Sequence, residues 1–200
     1  MMGTALKTQR ILARSAQAAV AAAAVADVFR AVAVRDHYLH QTGDSQHRSG
    51  FMSTVFVNLM TLAIVLFLVW LARSRRKAQE LNPRASVPSR GWTIGAWFIP
   101  VVNLFAPRRL VLDIGRASSL SWEEGRDTAL VNLWWGAWVG HALVLVVAGR
   151  AVPGSMAFFV VAEALMIAAA VLMGLVIERI TVLQSMAFGA AVPVAPQPRA

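Results

Sequence analysis

The sequence predicts an all-α integral membrane protein with four transmembrane helices. The 200-residue chain is 58% hydrophobic and only 14% charged, whereas soluble domains are about 25% charged. Four apolar runs approach the roughly 20 residues that a helix needs to cross the hydrocarbon core. These predicted spans lie at about 15–34, 51–71, 129–148 and 156–177. They define one membrane domain, residues 1–184, and residues 185–200 are predicted to form a disordered tail.

The first span is the weakest of the four, because it is built from Ala where the others carry Leu, Val and Phe. Small side chains of this kind let a second helix approach closely. The basic start and the small residues at 31–33 leave a cleaved signal peptide as an alternative. Asp27 and Arg30 argue against that alternative, since the apolar region of a signal peptide is normally uncharged.

The positions of the basic residues predict the orientation in the membrane. Of the 19 Lys and Arg residues, 15 lie in the amino-terminal arm, in the segment between spans two and three, or at the carboxyl end. The positive-inside rule therefore places both termini and the central loop of this multi-pass chain on the cytoplasmic side of the cell membrane. The net charge of +9 indicates contact with anionic lipid headgroups. Because the charges lie in loops and not on one folded face, we expect no nucleic-acid partner.

The central loop contains a short interfacial or re-entrant segment followed by an amphipathic helix, together residues 91–118. Its apolar core is about 14 residues long and is divided by Pro100, which is too short for a span. Trp92 and Trp97 are expected at the headgroup level. Arg108 and Arg109 could meet lipid phosphates.

The amphipathic helix carries a regular pattern of charge. Arg109, Asp113 and Arg116 follow one another at i, i+4 and i+7, which places them on one helix face as a possible ladder of ion pairs. Functionally, the whole segment could bind a lipid headgroup or a cytoplasmic partner. The structural alternative is a surface helix that is merely kinked at Pro100.

Four short motifs in this loop resemble a known family. They are Gly91-Trp92, Trp97-Phe98-x-Pro100-x-x-Asn103, Pro107-Arg108 and Asp113-Ile114-x-Arg116-Ala117-Ser118. Together they resemble the actinobacterial membrane-protein family known only as domain of unknown function 4328. The resemblance extends over about residues 15–184. It implies a four-span membrane domain and no known activity.

Each predicted span also carries a polar residue at a similar depth. At a rise of 1.5 Å per residue, these groups fall about 10–14 Å from the outer boundary. Ionisable groups in spans are costly, usually face the bundle interior and are paired. We therefore expect a buried polar layer that forms a ligand or proton site or, alternatively, a hydrogen-bonded network that fixes helix register. Its members are Asp27, Arg30, Asn58, His141 and Glu163.

Other chemistries have little support in the sequence. The predicted outer loop carries three weak metal-ligand candidates, His37, His40 and His47. We expect no metal site there and no cofactor in the protein. The chain has no Cys, which excludes thiolate ligands and Cys nucleophiles. No catalytic residue is predicted, since the lipase, zinc-protease and P-loop motifs are missing from the sequence.

The expected function is that of a non-catalytic scaffold or regulator acting through helix packing and a basic cytoplasmic face. Its partner would be another membrane protein or a second copy of the chain. One alternative is a small transporter or a ligand or proton sensor that uses the polar layer. Another alternative is a lipid-modifying enzyme at the cytoplasmic interface that uses Asp113 and the neighbouring Arg residues. It is the weakest of the three, because no nucleophile–base pair is visible in the sequence.

Overall fold

The computed structural model describes residues 2–151 and 155–190, and these are helical with no strand. Four helices are long and apolar enough to cross a membrane, which confirms the all-helical class and the four candidate spans. They are α1 (Met2–His40), α2 (Gly43–Leu81), α5 (Glu124–Ala151) and α6 (Met156–Ala190). Between α2 and α5 lie α3 (Arg90–Gly95), a 3-10 turn (Val102–Leu104) and α4 (Ala106–Ser118).

Helices α1 and α2 form a hairpin joined by only two residues, Gln41 and Thr42. Gln41 turns the chain with a positive φ of 44°. Thr42 then begins α2 with a capping box, since its hydroxyl accepts from Ser45 N at 3.1 Å and Ser45 Oγ accepts from Thr42 N at 3.0 Å. Residues 35–50, where the sequence predicted a short outward-facing loop, are therefore mostly helical.

The carboxyl end of α6 also extends beyond the predicted span. Residues 185–190, which the sequence assigned to a disordered tail, are helical. The reason is packing, since Leu183 and Gln184 are buried and the Phe188 ring lies 5.4 Å from Lys77 Nζ. The remainder of the predicted tail, 191–200, lies outside the described residues.

The hydrophobic core lies at the end of the bundle where α4 packs, called the α4 end here. Helix α1 packs against α2 and α6, and α6 packs against α5. Trp70 and Trp134 are buried among these helices. Phe67 lies against Trp97 with ring centroids 5.2 Å apart, and Trp97 lies 6.3 Å from Trp135. Trp97, expected at the headgroup level, is therefore part of an aromatic cluster.

Helix α4 is held against α2, α5 and α6. It buries Leu110, Val111 and Ile114 in the shared core. Gly115 lets the ring of Trp122 come so close to the α4 backbone that a Cβ there would overlap the ring. The opposite end of the bundle, where α1 turns into α2, is called the hairpin end below.

Candidate functional site

A charged cluster lies inside the bundle toward the hairpin end. Asp27 on α1 is 0% exposed. Arg30, one turn later, donates from Nε to Asp27 Oδ1 at 2.7 Å, and its Nη2 lies 2.5 Å from the same oxygen. The Arg30 guanidinium also lies over the Phe56 ring of α2, 4.8 Å from the centroid. The ion pair therefore lies between α1 and α2.

Glu163 adds a second carboxyl group to this cluster from α6. It is 8% exposed and lies within electrostatic range of both Asp27 and Arg30. Asp27 Oδ2 and Glu163 Oε2 are buried and have no hydrogen-bond partner among the described residues. Two carboxyl groups thus face one guanidinium, so a proton or a small cation would complete the charge balance of the site.

His141 on α5 is buried beside the same stretch of α6. Its Nδ1 lies 2.8 Å from the carbonyl oxygen of Ala162, the residue before Glu163. A carbonyl oxygen can only accept, so His141 Nδ1 is the donor of this hydrogen bond. The structure thus brings Asp27, Arg30 and Glu163 together and places His141 against the backbone of α6 at the residue before Glu163.

Asn58 does not join this cluster, which corrects the expectation that it faces the bundle interior. It is exposed and donates from Nδ2 to the backbone oxygen of Thr54 at 3.0 Å. Thr54 and Thr61, also exposed, donate to carbonyl oxygens of their own helix. The buried face of α2 instead carries Ala63 and Phe67. Counting residues from a span boundary fixes depth but not rotation about the helix axis, and this led to the error.

The motif residues of segment 91–118, called the interfacial motif here, form two parts. The first part lies against the bundle. Trp97 and Asn103 are half-buried and line a cavity between the long helices. Trp97 Nε1 and Asn103 Oδ1 are both buried without a hydrogen-bond partner in the part of the chain that the structure describes. Trp92 and Pro100, by contrast, are exposed.

The second part of the motif belongs to α4. Pro107 is buried in its first turn. Arg108 donates from Nε to Asn132 Oδ1 on α5 at 2.6 Å. Arg109 is exposed and lines a surface groove that also includes Asp113. Because these contacts hold α4 in place, the motif has a packing role at α5 as well as an exposed face.

The predicted charge ladder along α4 is replaced by a contact with α5. Arg116 donates two hydrogen bonds to the Glu124 carboxylate, from Nε at 2.8 Å and from Nη2 at 2.9 Å. The hydrogen bonds to the Glu124 carboxylate raise the pKa of Arg116, because they favour its charged form. Burial raises the pKa of the half-buried Asp113, while Arg109 and Arg116 act in the opposite direction. The longer-range attraction between Asp113 and its two neighbours therefore only partly offsets the cost of burying a charge.

The three candidate metal ligands lie at the hairpin end and are largely engaged locally. His37 Nδ1 lies 3.0 Å from Ser45 Oγ. His40 Nδ1 lies 2.9 Å from Asp36 Oδ1, and His47 is exposed on α2. Within 2–151 and 155–190, no group of three or more His, Cys, Asp and Glu side chains could hold a metal ion.

A buried polar network at the α4 end was not anticipated from the sequence. Gln184 donates from Nε2 to Ser118 Oγ and to the Ser74 carbonyl, each at 2.8 Å, and its Oε1 accepts from Gln9 Nε2 at 2.7 Å. All four residues are at most 3% exposed. The available signal was Gln184 itself, which falls four residues after Ile180 on the apolar face of α6.

No curated protein and no solved structure is significantly similar to the chain. A family model described as a domain of unknown function, DUF4328, matches residues 35–182. The match includes the whole central motif and more than half of the 200 residues, and it confirms the resemblance carried by that motif. The chain therefore belongs to the DUF4328 family.

Proposed function

We propose that this is a non-catalytic multi-pass protein of the cell membrane that acts as a scaffold or regulator through helix packing. The observation that carries the proposal is the exposed polar stripe of α2, defined by Thr54, Asn58 and Thr61. Polar side chains are rare on a lipid-facing surface, and between transmembrane helices they form hydrogen bonds that hold the helices together. The stripe therefore suits a helix–helix contact outside the bundle.

The occupant that fits the stripe best is a second copy of the chain. The Asn58 amide uses Nδ2 on its own helix, and its oxygen can accept from the amide of an Asn58 on a facing α2. An amide carries both donor and acceptor, so the stripe is complementary to itself. A two-fold interface of this kind uses the same surface on both subunits.

The distribution of charge supports an orientation with both termini and the α4 end in the cytoplasm. The exposed Arg73, Arg76 and Arg109 at that end would then lie near anionic headgroups. The segment after α3 supports the same placement, because Phe98, Val101 and Phe105 are 70%, 71% and 72% exposed. Burying these side chains at the interface, with α4 as the amphipathic helix behind them, removes apolar surface from water.

Cysteine cross-linking tests the proposed interface, since the chain has no native Cys. Thr61→Cys places a thiol on the stripe, and Val171→Cys places one on the 58% exposed surface of α6. Oxidation in native membranes should give a dimer band for Thr61→Cys and little for the control. Adding Asn58→Leu to Thr61→Cys should weaken association about tenfold, as expected for one interhelical hydrogen bond.

Two results would contradict the interface. One is equal cross-linking at Val171→Cys, which would indicate random collision in the membrane. The other is a dimer that persists unchanged with Asn58→Leu. A cross-linked product that is heavier than the chain and differs in mass from its dimer would identify a different membrane protein as the partner.

A second candidate function, a proton or small-ligand sensor, is favoured by the unpartnered oxygens of Asp27 and Glu163. It is tested with Glu163→Cys in intact cells and a membrane-impermeant thiol reagent. Gln46→Cys, at an exposed position of the hairpin end, is the control. Labelling at both positions supports a wet site open to the outside. Labelling of the control alone contradicts the sensor and leaves a dry network that fixes helix register.

A further inference from the structure

A cavity of about 200 Å³ lies between the four long helices and the segment that follows α3. Its wall is almost entirely apolar and includes Phe67, Trp134, Met166 and Ala169. An engineered apolar cavity of about 150 Å³ stays dry and takes up benzene. This cavity is therefore large enough to hold an apolar group somewhat larger than benzene.

Two residues that line the cavity, Trp97 and Asn103, each carry a polar atom that lacks a partner. Trp97 Nε1 is a donor and Asn103 Oδ1 an acceptor, and both are buried without a hydrogen bond to any described residue. Leaving such groups unpaired in an apolar environment is costly. A single hydroxyl group matches both needs, because its oxygen can accept from the indole and its proton can be donated to the amide. A carbonyl group would match only Trp97, and an alkane neither.

The cavity also has a way in from the side. Ile64 on α2 and Phe98 after α3 line it and are 46% and 70% exposed. Both lie on the outer surface of a helix bundle whose long helices are built to cross a membrane. An apolar molecule dissolved in the bilayer would therefore meet the opening directly.

We infer that this cavity binds the alkyl chain of an aliphatic alcohol, with the hydroxyl group held by Trp97 and Asn103. The inference does not depend on the α2 stripe, and Asp27, Arg30, His141 and Glu163 do not line the cavity. The same chemistry is present in two sources, a free medium-chain alcohol and a bilayer lipid that carries an uncharged hydroxyl. The site gives the Trp97–Asn103 part of the family motif a ligand to recognise.

Tryptophan fluorescence provides the assay, because Trp97, Trp134 and Trp138 line the cavity. The full chain is reconstituted in nanodiscs of phosphatidylcholine and phosphatidylglycerol and titrated with 8-bromo-1-octanol or with 1-bromooctane. Bromine quenches indole at contact, so binding should appear as saturable quenching above the linear signal from probe dissolved in the lipid. Ala169→Leu, which fills the cavity, should abolish the saturable part, whereas Ala164→Leu at an exposed position of the same helix should not.

The hydroxyl contact is tested with Asn103→Leu and Trp97→Phe. Each should raise the half-saturating concentration of bromooctanol about five- to tenfold, the effect of losing one hydrogen bond, and leave that of bromooctane within about twofold. If Ala169→Leu does not fold, Ala170→Leu fills the same cavity from the next position of α6. Circular dichroism and a single gel-filtration peak confirm folding of each variant.

A second arm identifies the source of the alcohol. Nanodiscs made with phosphatidylglycerol brominated on its acyl chains should show cavity quenching that unbrominated octanol relieves, if a bilayer lipid occupies the site. Saturable quenching by bromooctanol with no such relief assigns the site to a free alcohol. Quenching that stays linear with probe concentration and is the same in Ala169→Leu and wild type overturns the inference, as does an equal response of both probes to Asn103→Leu.

Discussion

Arg179 on α6 donates two parallel hydrogen bonds to the Asp127 carboxylate on α5, with Nε–Oδ1 and Nη2–Oδ2 distances that are both 2.9 Å. Asp127 is 2% exposed, and its Oδ2 also accepts from Glu123 N at 2.9 Å. Arg179 Nη2 reaches the Ser121 carbonyl at 3.2 Å. The pair therefore fixes the first turn of α5, and the loop before it, to α6.

Replacing this arginine should destabilise the protein. Arg179→Gln leaves the Asp127 carboxylate buried without its bidentate partner, which should lower the free energy of unfolding by about 2 kcal/mol. The control is Arg14→Gln, whose partner Glu178 lies 3.2 Å away in a pair that is 71% and 39% exposed. An exposed pair contributes about 0–1 kcal/mol. Chemical unfolding in detergent should separate the two variants, and equal losses would contradict the structural role of the Arg179–Asp127 pair.

The buried amide network at the α4 end should also be sensitive to substitution. Gln184→Leu removes the group that joins Gln9, Ser74 and Ser118, so each of these residues loses one buried hydrogen bond. The expected loss is about 1–3 kcal/mol of unfolding free energy. Gln79→Leu on the exposed surface of α2 should change it by less than about 0.5 kcal/mol.

Protease digestion gives a second readout for Gln184→Leu. Ser118 ends α4, so losing its hydrogen bond to Gln184 should loosen the last turn of α4 and expose Arg116 there to trypsin before the long helices unfold. Cleavage at the wild-type rate, with stability unchanged, would show that leucine packs in the glutamine site without cost.

The four-helix fold could be predicted because its signal is local: a long apolar run suffices for a span. The outward rotation of Asn58 could not be predicted, because it depends on which face of α2 packs into the bundle, and that is the face that carries Ala63 and Phe67. The hairpin was missed since one capping box at Thr42 replaced an expected loop. Counting residues along each span did place Asp27 and Glu163 at a similar depth in the bundle, because the rise per residue of a helix is constant.

The polar network at the α4 end lay beyond sequence reasoning for a different reason. Gln9 and Gln184 are 175 residues apart in the chain, and no local pattern pairs two amides over that distance. The charge pattern of α4 also led to a wrong prediction, that of a ladder of ion pairs along the helix. Arg116 met the periodicity of a ladder with Asp113, yet Glu124, eight residues away, offers a bidentate contact from the next helix.

Gly115→Ala should destabilise the packing of α4. A Cβ at this position would overlap the Trp122 ring, so the indole or the helix must move, at a cost of about 1–3 kcal/mol. The matched control is Gly136→Ala in α5, where a Cβ meets nothing within 4 Å. There alanine should be neutral or stabilise by up to about 1 kcal/mol, because it is the better helix former.

Thermal unfolding together with near-ultraviolet circular dichroism should distinguish these two glycines. Gly115→Ala is expected to lower the midpoint and to change the indole signal, while Gly136→Ala leaves the indole signal as it is. Equal midpoints for the two variants would mean that Trp122 leaves the α4 surface at little cost.

Asp113→Asn should change how stability depends on pH. Burial raises the pKa of Asp113, so the folded state holds this proton more tightly than the unfolded chain, whose Asp pKa is about 3.9. Stability is therefore highest below the unfolded pKa and falls as pH rises through the window up to the folded pKa. The amide cannot ionise, so Asp113→Asn should remove this loss and stabilise the protein slightly at neutral pH, by less than about 1 kcal/mol because solvent screens the half-buried group.

Unfolding measured at pH 3, 5 and 7 tests this expectation, with Asp44→Asn as the control. Asp44 is 87% exposed and pairs with Arg48, so its substitution should have almost no effect at any of these pH values. Arg109 and Arg116 face Asp113 and favour its charged form, in opposition to burial. A loss of stability for Asp113→Asn at pH 7 would show that these two arginines outweigh the burial of the carboxylate, and that the exposed face of α4 works as a charge network.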